Sequence, residues 1–511
     1  MNLQFLSTSD LHGYIYPTDF RQRNQSLAFG ATKVKGLFNQ LEQDAEGPLF
    51  KIDNGDFLQG SPLSYYVAKR EGLLMADMMN AMGFDAGVLG NHEFNYGREY
   101  LEATIAKLNY PIVCANILNE EGQSLTGHPY VIFEKAGIKV ALLGLTTPYI
   151  PHWEQPATVK GLTFKSAVET AKDYLPKLRK LADIIVVSYH GGFERDLNSG
   201  TPTETLTGEN EGYQLLHEVP GIDVLLTGHQ HREMAFANED WAFTQPGDKG
   251  RFIGSVQLKI DPQSKLITKR QAELIPVTGE EEPIMHQAFS PLLAEVETWL
   301  DQQIGQVEGD MRITDPMAVR TQGHPYINFI HQVQMDATGT DISGTALFDN
   351  HGTGFGANIS MRDVVTNYIY PNTLAVLKVT GQELRQALER SATYFEVADG
   401  KLLVSPTFLS PKVEHYNYDL YAGIDYTIDV SQPKGHRITR FDYHGQPIED
   451  QQLLEIVVNQ YRAVGGGDYA MFGADKIIRE VTIDMTELIG EYLQKHPLIQ
   501  ATSTTNFKLI Y

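Results

Sequence analysis

Ala86-Gly-Val-Leu-Gly-Asn-His-Glu93 is a short apolar run that stops at a glycine and then releases three polar residues. Four other runs end the same way. Asn2–Thr8 leads into Asp10-Leu-His12, and Pro48–Asp53 into Gly55-Asp56. Asp183–Ser188 leads into Tyr189-His190-Gly-Gly192, and Ile222–Leu226 into Thr227-Gly-His229-Gln-His231. Each run reads as a buried strand. Each polar tail then falls just past a C-terminal strand end, the edge where open α/β sheets bind ligands. One Asp-x-His would carry little weight. Five strand ends carrying Asp, Asn or His point to an α/β fold with one shared site.

Such a site suits two divalent cations about 3.5–4 Å apart, the clamp used for in-line displacement at phosphorus. A carboxylate must bridge them, and Asp56 is the natural bridge. Asp10, His12 and His231 would complete one shell; Asn91, His190 and His229 would complete the other. The donors are oxygen and nitrogen only, which fits manganese, zinc or a similar ion. His92 follows a ligand but stands outside both shells in this reading. It can hydrogen-bond a phosphoryl oxygen or protonate a leaving alkoxide.

A length of 511 residues exceeds one typical core, so two or more domains are expected. The net charge of −23 argues against polymeric nucleic acid or a membrane surface as partner. It does not exclude a small anionic substrate, because bound cations dominate the local field. A lone cysteine, Cys114, excludes an intramolecular disulfide. No basic leader precedes the first strand, and no run of 18 or more apolar residues is present. These features give a cytoplasmic expectation for the chain as it stands.

All five motifs fall within residues 1–320, where strands alternate with helical spacing at Ala31–Gln43, Gly72–Met82, Arg98–Leu108 and Lys165–Lys180. Gly250–Ile260 and Lys265–Pro276 read as a closing hairpin, and Glu281–Gln303 as a long amphipathic helix. Residues 321–338, with a helix at Tyr326–Ala337, are expected to link this part to a second α/β domain over 339–511. There, helices are expected at Met361–Tyr368 and Gly381–Glu396, with strands at Thr373–Thr380, Ile424–Ser431 and Gln452–Asn459. Two aromatic clusters stand out: Tyr416-Asn417-Tyr418, and Tyr461-Arg462-Ala-Val-Gly-Gly-Gly-Asp-Tyr469. A Gly-rich turn allows close backbone approach, and tyrosines can stack on a base.

Taken together, Asp10-Leu-His12, Gly55-Asp56, Gly90-Asn-His-Glu-Phe94, His190-Gly-Gly192 and Gly228-His-Gln-His231 resemble the calcineurin-like metallophosphoesterase domain of the 5′-nucleotidase family. The second half resembles that family's C-terminal nucleotide-binding domain. The resemblance implies a four-layer N-terminal domain, a two-metal site and a nucleotide substrate. Tyr368-Ile-Tyr-Pro-Asn-Thr-Leu374, Lys378-Val-Thr-Gly381 and Tyr416-Asn-Tyr-Asp419 look most like the bacterial 2′,3′-cyclic-nucleotide 2′-phosphodiesterase/3′-nucleotidase branch. By the same resemblance His92 matches the catalytic histidine. Tyr418 and Tyr469 match the base-stacking pair, with Tyr416 and Tyr461 as their competitors. Asn417 accompanies the first pair, and Arg390 and Arg462 are candidates to hold phosphate or ribose.

Three departures turn this reading away from a plain 5′-nucleotidase. Asn95 stands where those enzymes place an Asp three residues after the catalytic histidine, and an amide cannot raise the ring's basicity as a carboxylate would. His231 stands where they use Gln. Asn350-His-Gly-Thr-Gly-Phe-Gly356 carries no arginine, Arg362 being the nearest. The expected reaction opens a 2′,3′-cyclic nucleotide to the 3′-nucleotide, then releases nucleoside and phosphate. The rival expectations are a 5′-nucleotidase or nucleotide-sugar pyrophosphatase on the same scaffold, and a non-catalytic nucleotide-binding protein.

Overall fold

The computed structural model describes every residue except 205, 371, 482, 504 and 505, and at 71 the backbone alone. Pro371, inside the 368–374 stretch quoted above, lies outside the described residues. The chain divides into two compact units. One comprises Met1–Pro151 and Pro156–Val296, the other His152–Gln155 and Glu297–Tyr511.

The first unit is built on two six-stranded sheets. In one, Asn2–Thr8, Leu49–Asp53, Ala86–Val88 and Ile112–Val113 run parallel, and the antiparallel hairpin Phe252–Ile260 with Ile267–Pro276 closes the edge. In the other, Ile138–Thr146, Ile184–His190, Val224–Thr227 and Ala242–Pro246 run parallel, flanked by antiparallel Tyr130–Lys135 and Glu233–Ala237. Parallel strands covered on both faces need continuous apolar sequence, which is why these runs were legible. Phe5, Ile52 and Val88 of one sheet share a core with Val140, Val186 and Leu226 of the other. Burying each such side chain contributes about 1.5–3 kcal/mol.

Helices cover the outer faces. Val168 and Leu175 of Ala167–Leu178, with Leu215 of Gly212–Glu218, pack on Val187 and Tyr189. Phe38 of Ala31–Gln43 sits under Lys51 of the other sheet, 5.8 Å from ring centre to ammonium. The result is the expected four-layer helix–sheet–sheet–helix sandwich. The five motif-bearing strands run parallel within their own sheets, three in one and two in the other, and their C-terminal ends carry the polar residues.

The second unit holds a five-stranded sheet in the order Asp419–Ala422, Ser343–Ala346, Leu453–Asn459, Leu374–Thr380, Ile477–Val481. The helix Pro325–Thr338 buries Ile327, Phe329, Ile330 and Val333 in this unit's core, so it is a core helix and not a free linker. The division falls within the helix Pro283–Leu300, ahead of the expected residue 320, and 297–320 group with the second unit. An unbroken helix carries no composition change to mark such a boundary. The helix expected to 396 is Gly381–Ala392, entered through a Thr380/Glu383 capping box. It stops early because Phe395–Ala398 pairs with Lys401–Val404 around Asp399 and Gly400, both at positive φ, the signature of a tight hairpin turn. No helix among the described residues is long and apolar enough to cross a membrane.

Candidate metal centre

Five of the seven proposed ligands sit in the left-handed backbone region: Asp10 at φ 54°, His12 at 49°, Asp56 at 59°, His229 at 67° and His231 at 55°. Few non-glycine residues adopt this conformation. Each costs on the order of 1 kcal/mol or more and persists only where the surroundings impose it, typically at functional sites. Two glycines make the turns possible. A side chain at Gly90 would run into the Asp56 carboxylate, and one at Gly228 into Ser9 and Asp10.

These turns bring the seven side chains together. His231 Nε2 is 3.0 Å from His12 Nε2 and 3.3 Å from Asp10 Oδ1. Asn91 Oδ1 is 2.8 Å from His229 Nδ1 and 3.3 Å from His190 Nε2. Asp56 Oδ2 lies 3.1 Å from His190 Nε2. Donor atoms of Asp10, His12 and His231 fall within 4.8 Å of one another, as do those of Asp56, His190 and His229, and those of His12, Asp56 and His92. Asp56 therefore faces both groups.

Two observations test the fit of divalent cations. Asp56 Oδ2 is buried and has no hydrogen-bond partner. The His12 and His231 nitrogens converge with a carboxylate beside them, an oxygen and nitrogen donor set that borderline and hard divalent ions accept. The residues fit.

The electrostatics are polarised. Burial alone would raise Asp56, but His190 and His92 hold it well below the usual carboxylate range. Burial lowers His12 to about 3, with help from His231. Burial also opposes a charge on His190, yet the Asp56 carboxylate raises it to about 10.

His92 is half-buried, with its ring 5.2 Å from that of His12. Its backbone N–H donates to Asp56 Oδ1 at 2.7 Å, and its Nδ1 lies 2.6 Å from Asn95 Oδ1. The amide oxygen accepts there, so Nδ1 carries a proton.

Glu93 was missed by the sequence reading. Its buried carboxylate accepts four backbone N–H groups: Gly90 at 2.5 Å, Phe57 at 2.7 Å, Asp56 at 2.9 Å and Leu58 at 3.2 Å. It thereby ties the turn bearing Asp56 to the turn bearing Asn91. Burial and the Asp56 charge push it up to about 7. The available signal was an acid in a tight turn between strand and helix with no Lys or Arg beside it, which if buried must draw on backbone donors.

The aromatic reading of the second unit needs correction. Tyr418 is 0% exposed, packed on Tyr394 and Phe395, with its hydroxyl donating to the Arg320 carbonyl at 2.8 Å. Tyr469 is also fully buried, its hydroxyl 2.7 Å from Ser391 Oγ and its ring 3.7 Å from the Arg462 guanidinium. Rings so enclosed are core, not platforms for a base. Tyr416 and Tyr461 are the half-buried pair, with ring centroids 6.2 Å apart.

Arg462 is spent on a buried bidentate pair with Asp419, at 2.7 and 3.1 Å. Asn417 is buried and donates to Glu414 Oε2 at 2.9 Å. Arg390 holds the Gly-rich turn through the Gly467 carbonyl at 3.0 Å and Asp468 at 3.3 Å. Arg362 pairs with Glu297 and Asp301 at 2.5 and 2.6 Å. The arginine on the 350–356 loop is the buried Arg320, 2.7 Å from Asn350 Oδ1. Tyr418→Ala should accordingly cost about 3–5 kcal/mol of stability, the range for a large core ring. A thermal melt would show it, whereas Tyr416→Ala should shift the melt far less. Equal melts would return Tyr418 to the surface.

Residues 3–233 match the calcineurin-like phosphoesterase family, and residues 303–474 match the 5′-nucleotidase C-terminal domain. A Staphylococcus aureus protein that carries the provisional name 5′-nucleotidase, solved with alpha-ketoglutarate, is 42% identical with a TM-score of 0.96, each chain covered in full. A 2′,3′-cyclic-nucleotide 2′-phosphodiesterase/3′-nucleotidase of Yersinia enterocolitica is 27% identical over all of this chain and 88% of its own length. The trifunctional nucleotide phosphoesterase YfkN of Bacillus subtilis is 26% identical over all of this chain, which spans only 39% of that longer protein.

Proposed function

The chain belongs to the 5′-nucleotidase family of calcineurin-like phosphoesterases, and from that premise we propose that it hydrolyses nucleotide phosphoesters, opening 2′,3′-cyclic nucleotides and then dephosphorylating the 3′-nucleotide. The observation that carries the reading is the grouping of Asp10, His12 and His231 donors, and of Asp56, His190 and His229 donors, each within 4.8 Å, with a buried Asp56 oxygen that has no hydrogen bond. The finer substrate assignment draws support from relatives that bear this activity in their names. It draws further support from Asn95 and His231, which stand where plain 5′-nucleotidases differ.

Asp10, His12 and His231 are assigned to one cation, Asn91, His190 and His229 to the other, and Asp56 to both. When bound, two divalent ions would place positive charge against the phosphoryl oxygens and acidify the attacking water. Glu93 fixes the two turns that carry Asp56 and Asn91. Asn95 orients His92 so that Nε2 can donate to a phosphoryl oxygen or to the leaving alkoxide. Base recognition is assigned to Tyr416 and Tyr461.

A panel of 2′,3′-cyclic AMP, 3′-AMP, 5′-AMP and UDP-glucose on manganese-loaded protein tests the reading. The first two should be turned over fastest. A clear preference for 5′-AMP would overturn it in favour of a 5′-nucleotidase, the alternative suggested by the name of the Staphylococcus aureus relative. Tyr416→Ala and Tyr461→Ala should weaken nucleotide use by about 1–3 kcal/mol per stacked base, or about 5- to 150-fold in affinity. They should spare p-nitrophenyl phosphate, which has no base to stack. Equal losses on both substrates would remove these tyrosines from base recognition.

A further inference from the structure

We infer that Glu209 is a positioning residue for the second metal position, fixing the tautomer of His229 and supplying negative charge behind it. His229 is engaged on both ring nitrogens. Nε2 lies 2.8 Å from Glu209 Oε1, and Nδ1 lies 2.8 Å from Asn91 Oδ1. A metal-ligating ring is neutral and an ionised carboxylate only accepts, so in that form the ring proton sits on Nε2 and the Nδ1 lone pair faces the Asn91 side. A cation held between Asn91, His190 and Asp56 would meet that lone pair. This inference rests on the two-metal reading above.

Of the other assigned ligand histidines, His231 has Asp248 Oδ2 more loosely behind it, 3.9 Å from Nδ1, and the two buried ones turn to backbone carbonyls. His12 Nδ1 is 2.8 Å from the Gln59 carbonyl, and His190 Nδ1 is 2.7 Å from the Asn54 carbonyl. A carbonyl orients a ring; a carboxylate also makes it a stronger donor. The difference matches the charge of the two positions. The first draws on Asp10 as well as the shared Asp56, while the second has the neutral Asn91 in place of an acid. Glu209 supplies through His229 the charge that Asn91 does not.

Glu209 is built into place. Its carbonyl accepts from Thr147 Oγ1 at 2.7 Å and from Tyr189 OH at 3.3 Å. Tyr189 precedes His190, and the Thr147 N–H donates to the His190 carbonyl at 2.8 Å. The strand ends that deliver His190 therefore also anchor the residue that orients His229. Its side chain is 32% exposed, so it can be changed without opening the core.

The test is a manganese titration of the full-length apoprotein by calorimetry, with bound metal counted by elemental analysis. Wild type should take up two ions. Glu209→Gln, which keeps a hydrogen-bond acceptor but loses the charge, and Glu209→Ala should both retain the first binding step. The second step should weaken by about 10- to 100-fold, the usual effect of losing such a partner, with Ala worse than Gln. The visible spectrum of the cobalt-loaded protein should change at the second equivalent alone. Excess manganese should restore kcat with little change in KM. Two wild-type-like steps in both variants would overturn the inference and leave the two-metal reading intact. So would equal weakening of both steps with a lowered melting temperature, which marks a merely structural role. A wild-type chain that binds a single ion would instead overturn the two-metal reading and this inference with it.

Discussion

Asp56→Asn should abolish turnover and lower the bound metal by at least one equivalent. The side chain keeps its shape, so the loss isolates the charge. Asp56 enters on a left-handed turn after Gly55, its backbone N–H held by Glu93 at 2.9 Å. Its Oδ1 accepts from the His92 backbone, and its Oδ2 points toward His190 with no hydrogen bond of its own. An amide there would offer one neutral oxygen and, on the other side, two protons aimed at histidines and cations. Charge stabilisation by such ions is worth several kcal/mol, and each ~1.4 kcal/mol is tenfold in rate. The expected fall in kcat/KM is therefore about a thousandfold or more. Elemental analysis and a rate on 2′,3′-cyclic AMP check it together. Near-normal activity with two ions still bound would end the assignment of Asp56 as the bridge.

The clustering of these side chains was readable because sequence and fold share one constraint there. A parallel strand covered on both faces must be apolar, and the residues released at its end stand out against that run. Ala86–Val88 followed by Gly90 and Asn91 shows this in its shortest form. The left-handed turns were less visible, because Asp10 and His12 follow a strand with no glycine before them. Glu93 left only a faint mark as a support, since its partners are backbone groups that any sequence has.

The aromatic clusters failed as guides for a different reason. Tyr418 and Tyr416 are two residues apart in one motif, and nothing local says which one the sheet will enclose. That is decided by Tyr394, Phe395 and the Arg320 carbonyl, all distant in sequence. The same holds for Arg462. A lone arginine in a Gly-rich loop reads as a phosphate ligand until Asp419 is seen to take its fork. The unit boundary was lost within one continuous helix, Pro283–Leu300.

His92→Asn should lower kcat by about 10²–10⁴-fold, the range for a positioned acid or base, while leaving both ions bound. The ring stands beside the proposed shells and not within the pairs that define them. Its Nδ1 is occupied by Asn95 at 2.6 Å, which assigns Nε2 to the reacting phosphate. The mutant amide cannot deliver a proton to an alkoxide, yet it leaves Asp56, His12 and His190 in place. Asn95→Asp makes the complementary case. A carboxylate at Nδ1 stabilises the imidazolium and raises its pKa. If the protonated ring is the working form, activity is lost as pH rises through that pKa, so the alkaline limb of the rate profile should move to higher pH. A neutral ring acting only as an orienting group would leave that limb where it is in wild type. Loss of metal from His92→Asn would settle the matter another way, since the His12, Asp56 and His92 donors also lie within 4.8 Å of one another. That outcome would place His92 in the shell and require another group to carry the proton.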